Sequence, residues 1–105
     1  MKREEKLAKV KTITANTESL TLDEIRKMVR VLFPGKRSEY IYTEMNSYCL
    51  NNLFEVMTGR HCPHYLLVKA FEEEGFRSRE SGYSNKVFNI TRRQADRIWD
   101  LVRVR

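Results

Sequence analysis

The sequence predicts an α+β fold built from a three-helix core, a short strand, a β-hairpin and a C-terminal helix. Three observations predict it. Thr21-Leu22-Asp23-Glu24 and Thr91-Arg92-Arg93-Gln94 each have the form of a capping box, in which a Thr hydroxyl and an acid or amide three residues on satisfy free N–H groups at a helix start. Apolar residues then recur at helical spacing in three stretches between Thr21 and Glu74. From Phe76 to Ile90 the pattern changes to alternation on both sides of a turn centred on Gly82.

Residues 1–19 read as a charged leader and a Thr/Asn/Ser-rich linker, partly flexible, ahead of a domain at 20–105. Lys2 to Lys11 offer only Leu7 and Val10 as an apolar face, so no more than a frayed turn or two of helix is expected there. At the first capping box Leu20 and Ile25 occupy the two positions of a hydrophobic staple. Ile25, Met28, Val29 and Leu32 form one helical stripe, and Pro34-Gly35 ends it. Glu39-Tyr40-Ile41-Tyr42-Thr43 is rich in β-formers and reads as a single short strand. Leu50, Leu53, Phe54 and Met57 form the second helix stripe, closed by Gly59. Pro63 suits the first turn of a third helix, where its missing N–H costs nothing, and that helix runs to Glu74 with Gly75 closing it. Residues 76–90 read as the hairpin. Ile90 and Ala95 staple the last helix, carried by Ala95, Ile98, Trp99 and Val102.

Two helices joined by about three residues, followed by a two-stranded hairpin, are the order of a winged helix-turn-helix. In it the helix at 63–74 would enter the major groove and the hairpin would be the wing. The candidate DNA contacts are Arg60, His64 and Tyr65 near the start of that helix, Lys69 along it, and Arg77, Arg79 and Lys86 on the wing. Arg77 and Arg79 are two apart on a strand and so share a face, as an array of phosphate contacts requires. Against this stand Glu72, Glu73 and Glu74, which oppose the macrodipole at the helix C-terminus and repel phosphate. They point away from DNA or meet a protein partner.

Charge favours a polyanion as partner. The net charge is +6, but residues 1–38 and 76–105 each carry +5 while 39–75 carry −4. Arg92, Arg93, Arg97, Arg103 and Arg105 either extend the DNA surface or form a solvated helix face. No stretch approaches the roughly 20 apolar residues of a membrane span. The opening Met-Lys-Arg-Glu-Glu-Lys has no apolar run behind it, so a secretory signal is not expected and a reducing cytoplasm is.

Metal and catalytic readings find poor spacing. Cys49, His61, Cys62 and His64 have the right chemistry for zinc, but neighbours such as His61 and Cys62 rarely converge on one tetrahedral ion. A Cys62 nucleophile with His61 or His64 as base lacks a third orienting group. No metal, no cofactor and no enzymatic activity are expected.

The run Leu66-Leu67-Val68-Lys69-Ala70-Phe71-Glu72-Glu73-Glu74-Gly75-Phe76-Arg77-Ser78-Arg79, then Gly82-Tyr83-Ser84-Asn85-Lys86-Val87-Phe88, resembles the C-terminal winged-helix segment of virulence-associated E proteins and related phage and plasmid primase-helicases. The resemblance covers about residues 61–90. It implies a free-standing winged helix of phage or mobile-element origin. The phosphate-binding loop of that family's ATPase is absent, so no helicase or primase activity carries over. Two further functions stay open. One is a protein-binding winged helix that inhibits or adapts a host nucleic-acid-handling complex through Glu72, Glu73 and Glu74. The other is a structural or oligomerising adaptor.

Overall fold

Thr21 and Thr91 start two helices as their capping boxes require. The Thr21 hydroxyl accepts the Glu24 N–H and the Glu24 carboxylate accepts the Thr21 N–H; Thr91 and Gln94 repeat the exchange. The computed structural model describes residues 3–13 and 18–103. Its fold is α+β, with five helices and one two-stranded antiparallel sheet among the described residues. The order is α1 (Arg3–Ile13), α2 (Leu22–Leu32), α3 (Ser47–Thr58), α4 (His64–Glu73), β1 (Ser78–Glu80), β2 (Lys86–Phe88) and α5 (Arg92–Val102). Among these residues no helix is long and apolar enough to cross a membrane.

The apolar stripes converge on one core. Ile25, Met28, Val29 and Leu32 of α2, Leu50, Leu53, Phe54 and Met57 of α3, and Leu67, Ala70 and Phe71 of α4 are all buried in it. Phe71 is its centre. Its ring stacks on Phe88 of β2 at 4.6 Å and meets Phe33 and Phe76 edge-on at 5.2 and 5.1 Å, with Phe54 of α3 at 6.2 Å. One side chain of α4 thus touches residues following α2, within α3 and on both sides of the hairpin turn. The staples Leu20/Ile25 and Ile90/Ala95 are buried as well.

Three expectations need correction. The strand expected at 39–43 does not form. The chain bends there and turns at 43–44, so it meets the outer edge of β2 only at points: Tyr42 N–H donates to Phe88 O at 2.9 Å, and Asn46 bridges to Val87. Asn89 holds the chain just before this segment, its side chain accepting from Arg77 N–H and donating to Ser38 O. Along residues 3–13, only a frayed turn or two of helix was expected at the N-terminus. Instead α1 is eleven residues long, packs on α2 and α3, and buries Val10 completely. In α5 the buried residues are Gln94, Ala95, Ile98 and Leu101, whereas Trp99 is about half exposed. Gln94 is buried because its amide donates to Pro34 O while its oxygen completes the cap.

Candidate nucleic-acid interface

The connection between α3 and α4 is held by backbone geometry and two side chains. Gly59 takes the left-handed conformation, with φ 68°, that lets the chain leave α3 abruptly. Glu55 then accepts the Cys62 N–H at 2.8 Å and pairs with His61 Nδ1 at 3.1 Å, while the Asn51 amide donates to Cys62 O at 2.6 Å. Cys62 is buried in this turn. Burial, and secondarily the Glu55 charge, push its thiol up to about 12, which disfavours the thiolate. His61 is exposed beside Glu55, and His64 is turned to Ser47. Among the described residues no three His, Cys, Asp or Glu side chains gather as metal ligands would.

Pro63 is the N-cap of α4 and supplies no side-chain acceptor, so the first N–H groups of the helix have no side-chain cap. His64 and Tyr65 stand at this end. Tyr65 and Lys69 are exposed along the outer side, four residues apart on one face, and Lys69 reaches Glu73 at 3.9 Å. His64 has a structural partner. Its Nε2 lies 2.7 Å from the buried Ser47 Oγ, which also accepts the Lys86 N–H at 2.8 Å. That hydroxyl therefore ties the starts of α3, α4 and β2 together. Arg60 sits half-buried in the turn.

The acidic end of α4 is drawn back to α2. Glu74 accepts from Arg26 Nε at 2.7 Å and from Arg30 Nε and Nη2, both at 2.8 Å; Glu73 pairs with Arg26 at 3.2 Å. Arg37 donates to the Glu74 carbonyl at 2.6 Å and lies over the Phe76 ring at 3.9 Å. The hydrogen bond from Arg30 foremost, with that from Arg26, holds the Glu74 carboxyl below the usual carboxylate range. Glu72 remains exposed and accepts from the Ser78 hydroxyl. Three arginines thus offset the unfavourable end of the α4 dipole. The sequence left the triplet pointing away from DNA or meeting a protein partner, with no partner assigned within the chain. The available signal was Arg26 and Arg30 at i, i+4 on α2, but nothing local says which helix they face.

The hairpin pairs Ser78 with Phe88, Arg79 with Val87 and Glu80 with Lys86. Directly opposed residues share a face, and neighbours alternate. Arg79 lies opposite the buried Val87, and Arg77, which precedes β1, is exposed as Arg79 is. Lys86 lies on the other face, opposite Glu80 and in line with the buried Phe88, so it does not join the two arginines. Arg77 also donates to Glu39 O at 2.6 Å, which anchors the 39–43 segment to the hairpin base. At the tip Gly82, Tyr83 and Ser84 all have positive φ, and the Tyr83 ring is fully exposed.

The candidates thus divide. Tyr65, Lys69, Arg77 and Arg79 are exposed, with the Arg77 guanidinium on Glu39 O; His64, Arg60 and Lys86 are half-buried, and of these three His64 has its side chain held by Ser47 while Lys86 is bound there through its backbone N–H. Compared with known proteins, the chain matches no protein family, no curated protein and no solved structure.

Proposed function

We propose that this is a non-enzymatic winged-helix protein that binds duplex DNA, with α4 as the recognition helix and the β1–β2 hairpin as the wing. The observation that carries the reading is the pairing of two of the three acids at the end of α4. Glu73 and Glu74 are engaged by Arg26 and Arg30 of α2, which removes much of the negative charge from the helix that must approach phosphate. The opposite end of α4 has backbone N–H groups without a side-chain cap, and such a helix end favours an anion. Tyr65 and Lys69 on α4, with Arg77 and Arg79 on the wing, supply the exposed contacts. The order helix, tight turn, helix, hairpin supports the same reading.

The test is fluorescence anisotropy with a labelled random duplex at several salt concentrations. Each phosphate contact releases counterions, so affinity should fall steeply with salt. The Arg77→Ala/Arg79→Ala pair should weaken binding to all sequences alike and flatten the log–log salt slope by about two units. Lys86→Ala, on the other face of the hairpin, should change it least. An unchanged slope in the double variant removes the wing from the interface.

A second reading, a protein-binding winged helix acting as an inhibitor or adaptor, is favoured by a different observation. Tyr48 and Val56 are both well exposed, eight residues apart on α3 and so about 80° apart around the helix, within one broad face. Absence of duplex binding by the wild type at low salt selects this reading.

A further inference from the structure

A cleft of about 510 Å³ opens between α1, the C-terminal end of α2 and α5. It takes no lining residue from α3, α4 or the hairpin, so it is separate from the proposed DNA surface. Val31, Pro34 and Leu101 give it an apolar side, while Lys6, Lys9, Arg30 and Arg97 bring four cations against one carboxylate, Asp100. Asp100 is itself 3.9 Å from Arg103, and Arg30 is turned to Glu74. Among the described residues Lys6, Lys9 and Arg97 make no ion pair.

Lys6 is the unusual member. Lysine is rarely buried as a whole residue, although its stem can lie along apolar surface while the ammonium keeps water. Yet Lys6 is only 7% exposed. Withdrawal from water and the neighbouring positive charge of Arg97 both act against its ammonium form. Two cations held close together, one of them on a largely buried side chain, are a cost to the free protein. An anion seated between them would offset it. The volume falls within the range of small-molecule sites, and cationic groups beside an apolar wall suit a ligand with a charged head and an apolar or aromatic body.

We propose that this cleft is a binding site for a small phosphate-bearing ligand of about nucleotide size, held at its phosphate by Lys6, Lys9 and Arg97 and at its body by Val31, Pro34 and Leu101.

The probes are inorganic phosphate and adenosine monophosphate, read by thermal unfolding and by backbone amide NMR shifts, each against sodium chloride of equal ionic strength and without DNA. A ligand that binds only the folded state raises its stability by mass action. Both probes should raise the unfolding temperature beyond the chloride control, the nucleotide more than phosphate, with shifts confined to α1, the end of α2 and α5. Lys6→Met keeps the stem and removes the charge. It should raise the unfolding temperature of the ligand-free protein while abolishing the increment from both probes. Arg97→Gln should reduce that increment several-fold. The proposal is overturned if phosphate acts no differently from chloride, or if the increment survives in both variants. It is equally overturned if Lys6→Met weakens duplex binding as much as Arg79→Ala does, while neither probe binds the wild type. That result would assign the cations to nucleic acid.

Discussion

Glu74 shows how one carboxylate decides the character of a helix end. Alone at the C-terminus of α4 it would destabilise the helix by repelling the carbonyl end of the dipole. With Arg26 and the Arg30 fork on it, and only 10% of the side chain exposed, it becomes the pin between α2 and α4. Replacing it by Gln keeps the shape and removes the charge. The expected loss is about 1–2 kcal/mol, the range for charge-assisted hydrogen bonds reduced because the arginines themselves are open to water. The pH dependence has a definite sign. A carboxyl with a lowered folded-state pKa contributes stability above its unfolded pKa and loses it as pH falls through the folded value. The stability gap between wild type and Glu74→Gln should therefore be full at neutral pH and shrink below the usual carboxylate range. Denaturant titrations across that range check it; a constant gap would deny the linkage. The same replacement should also leave α4 less firmly set against α2, with Arg30 released to solvent and Arg26 left on Glu73.

At the scale of elements, α1 is the informative one. Its sequence offers few apolar residues, yet Val10 is fully buried and Leu7 packs against the same core. The helix is stabilised by docking, since an isolated eleven-residue helix is marginal in water. Val10→Ala should then cost about 1–3 kcal/mol with an unchanged denaturant m value, by the usual cost of truncating a buried aliphatic side chain. A change within about half a kcal/mol, as for surface positions, would mean that α1 does not contribute to the stability of the domain. Docking also creates the basic cleft, because Lys6 and Lys9 face α5 only when α1 is seated. The hairpin behaves differently. Its strands are only three residues long, too short to stand alone, and its position rests on Phe88 beneath Phe71 and on the Ser47 hydroxyl at Lys86.

For the whole molecule, Phe71 joins the parts into one cooperative unit. Its ring contacts reach Phe33, Phe54, Phe76 and Phe88, so truncation leaves a cavity bordered by α3, the hairpin and the chain after α2. Phe71→Ala should cost about 3–5 kcal/mol, a large fraction of the stability of a domain this size. Unfolding should remain a single transition by near- and far-ultraviolet circular dichroism together. Separate loss of the hairpin signal would show that the hairpin is stabilised independently. If α4 and the hairpin form the DNA surface, the variant should also lose binding in proportion to unfolded protein and not through any lost contact, since Phe71 is inaccessible.

Local patterns in the sequence carried much of this architecture. Thr21 and Thr91 need only residues three positions away to cap a helix, and Ile25, Met28, Val29 and Leu32 need only the helical period to share a face. The same holds for Gly59 at the end of α3 and for the turn signals that placed a hairpin after α4. The rest depends on groups distant in sequence. Glu39–Thr43 has the composition of a strand, but whether it pairs depends on β2, whose edge it meets only at points. Nothing near Glu74 says that Arg26, 48 residues earlier, will neutralise it. Lys6 and Arg97 carry no mutual signal at all. Capping, period and turn chemistry are determined within a few residues, where the chain's own geometry sets the distances. Charge pairing, burial of a weakly apolar helix and the shape of a cleft are decided by which surfaces meet, and only the folded core fixes that.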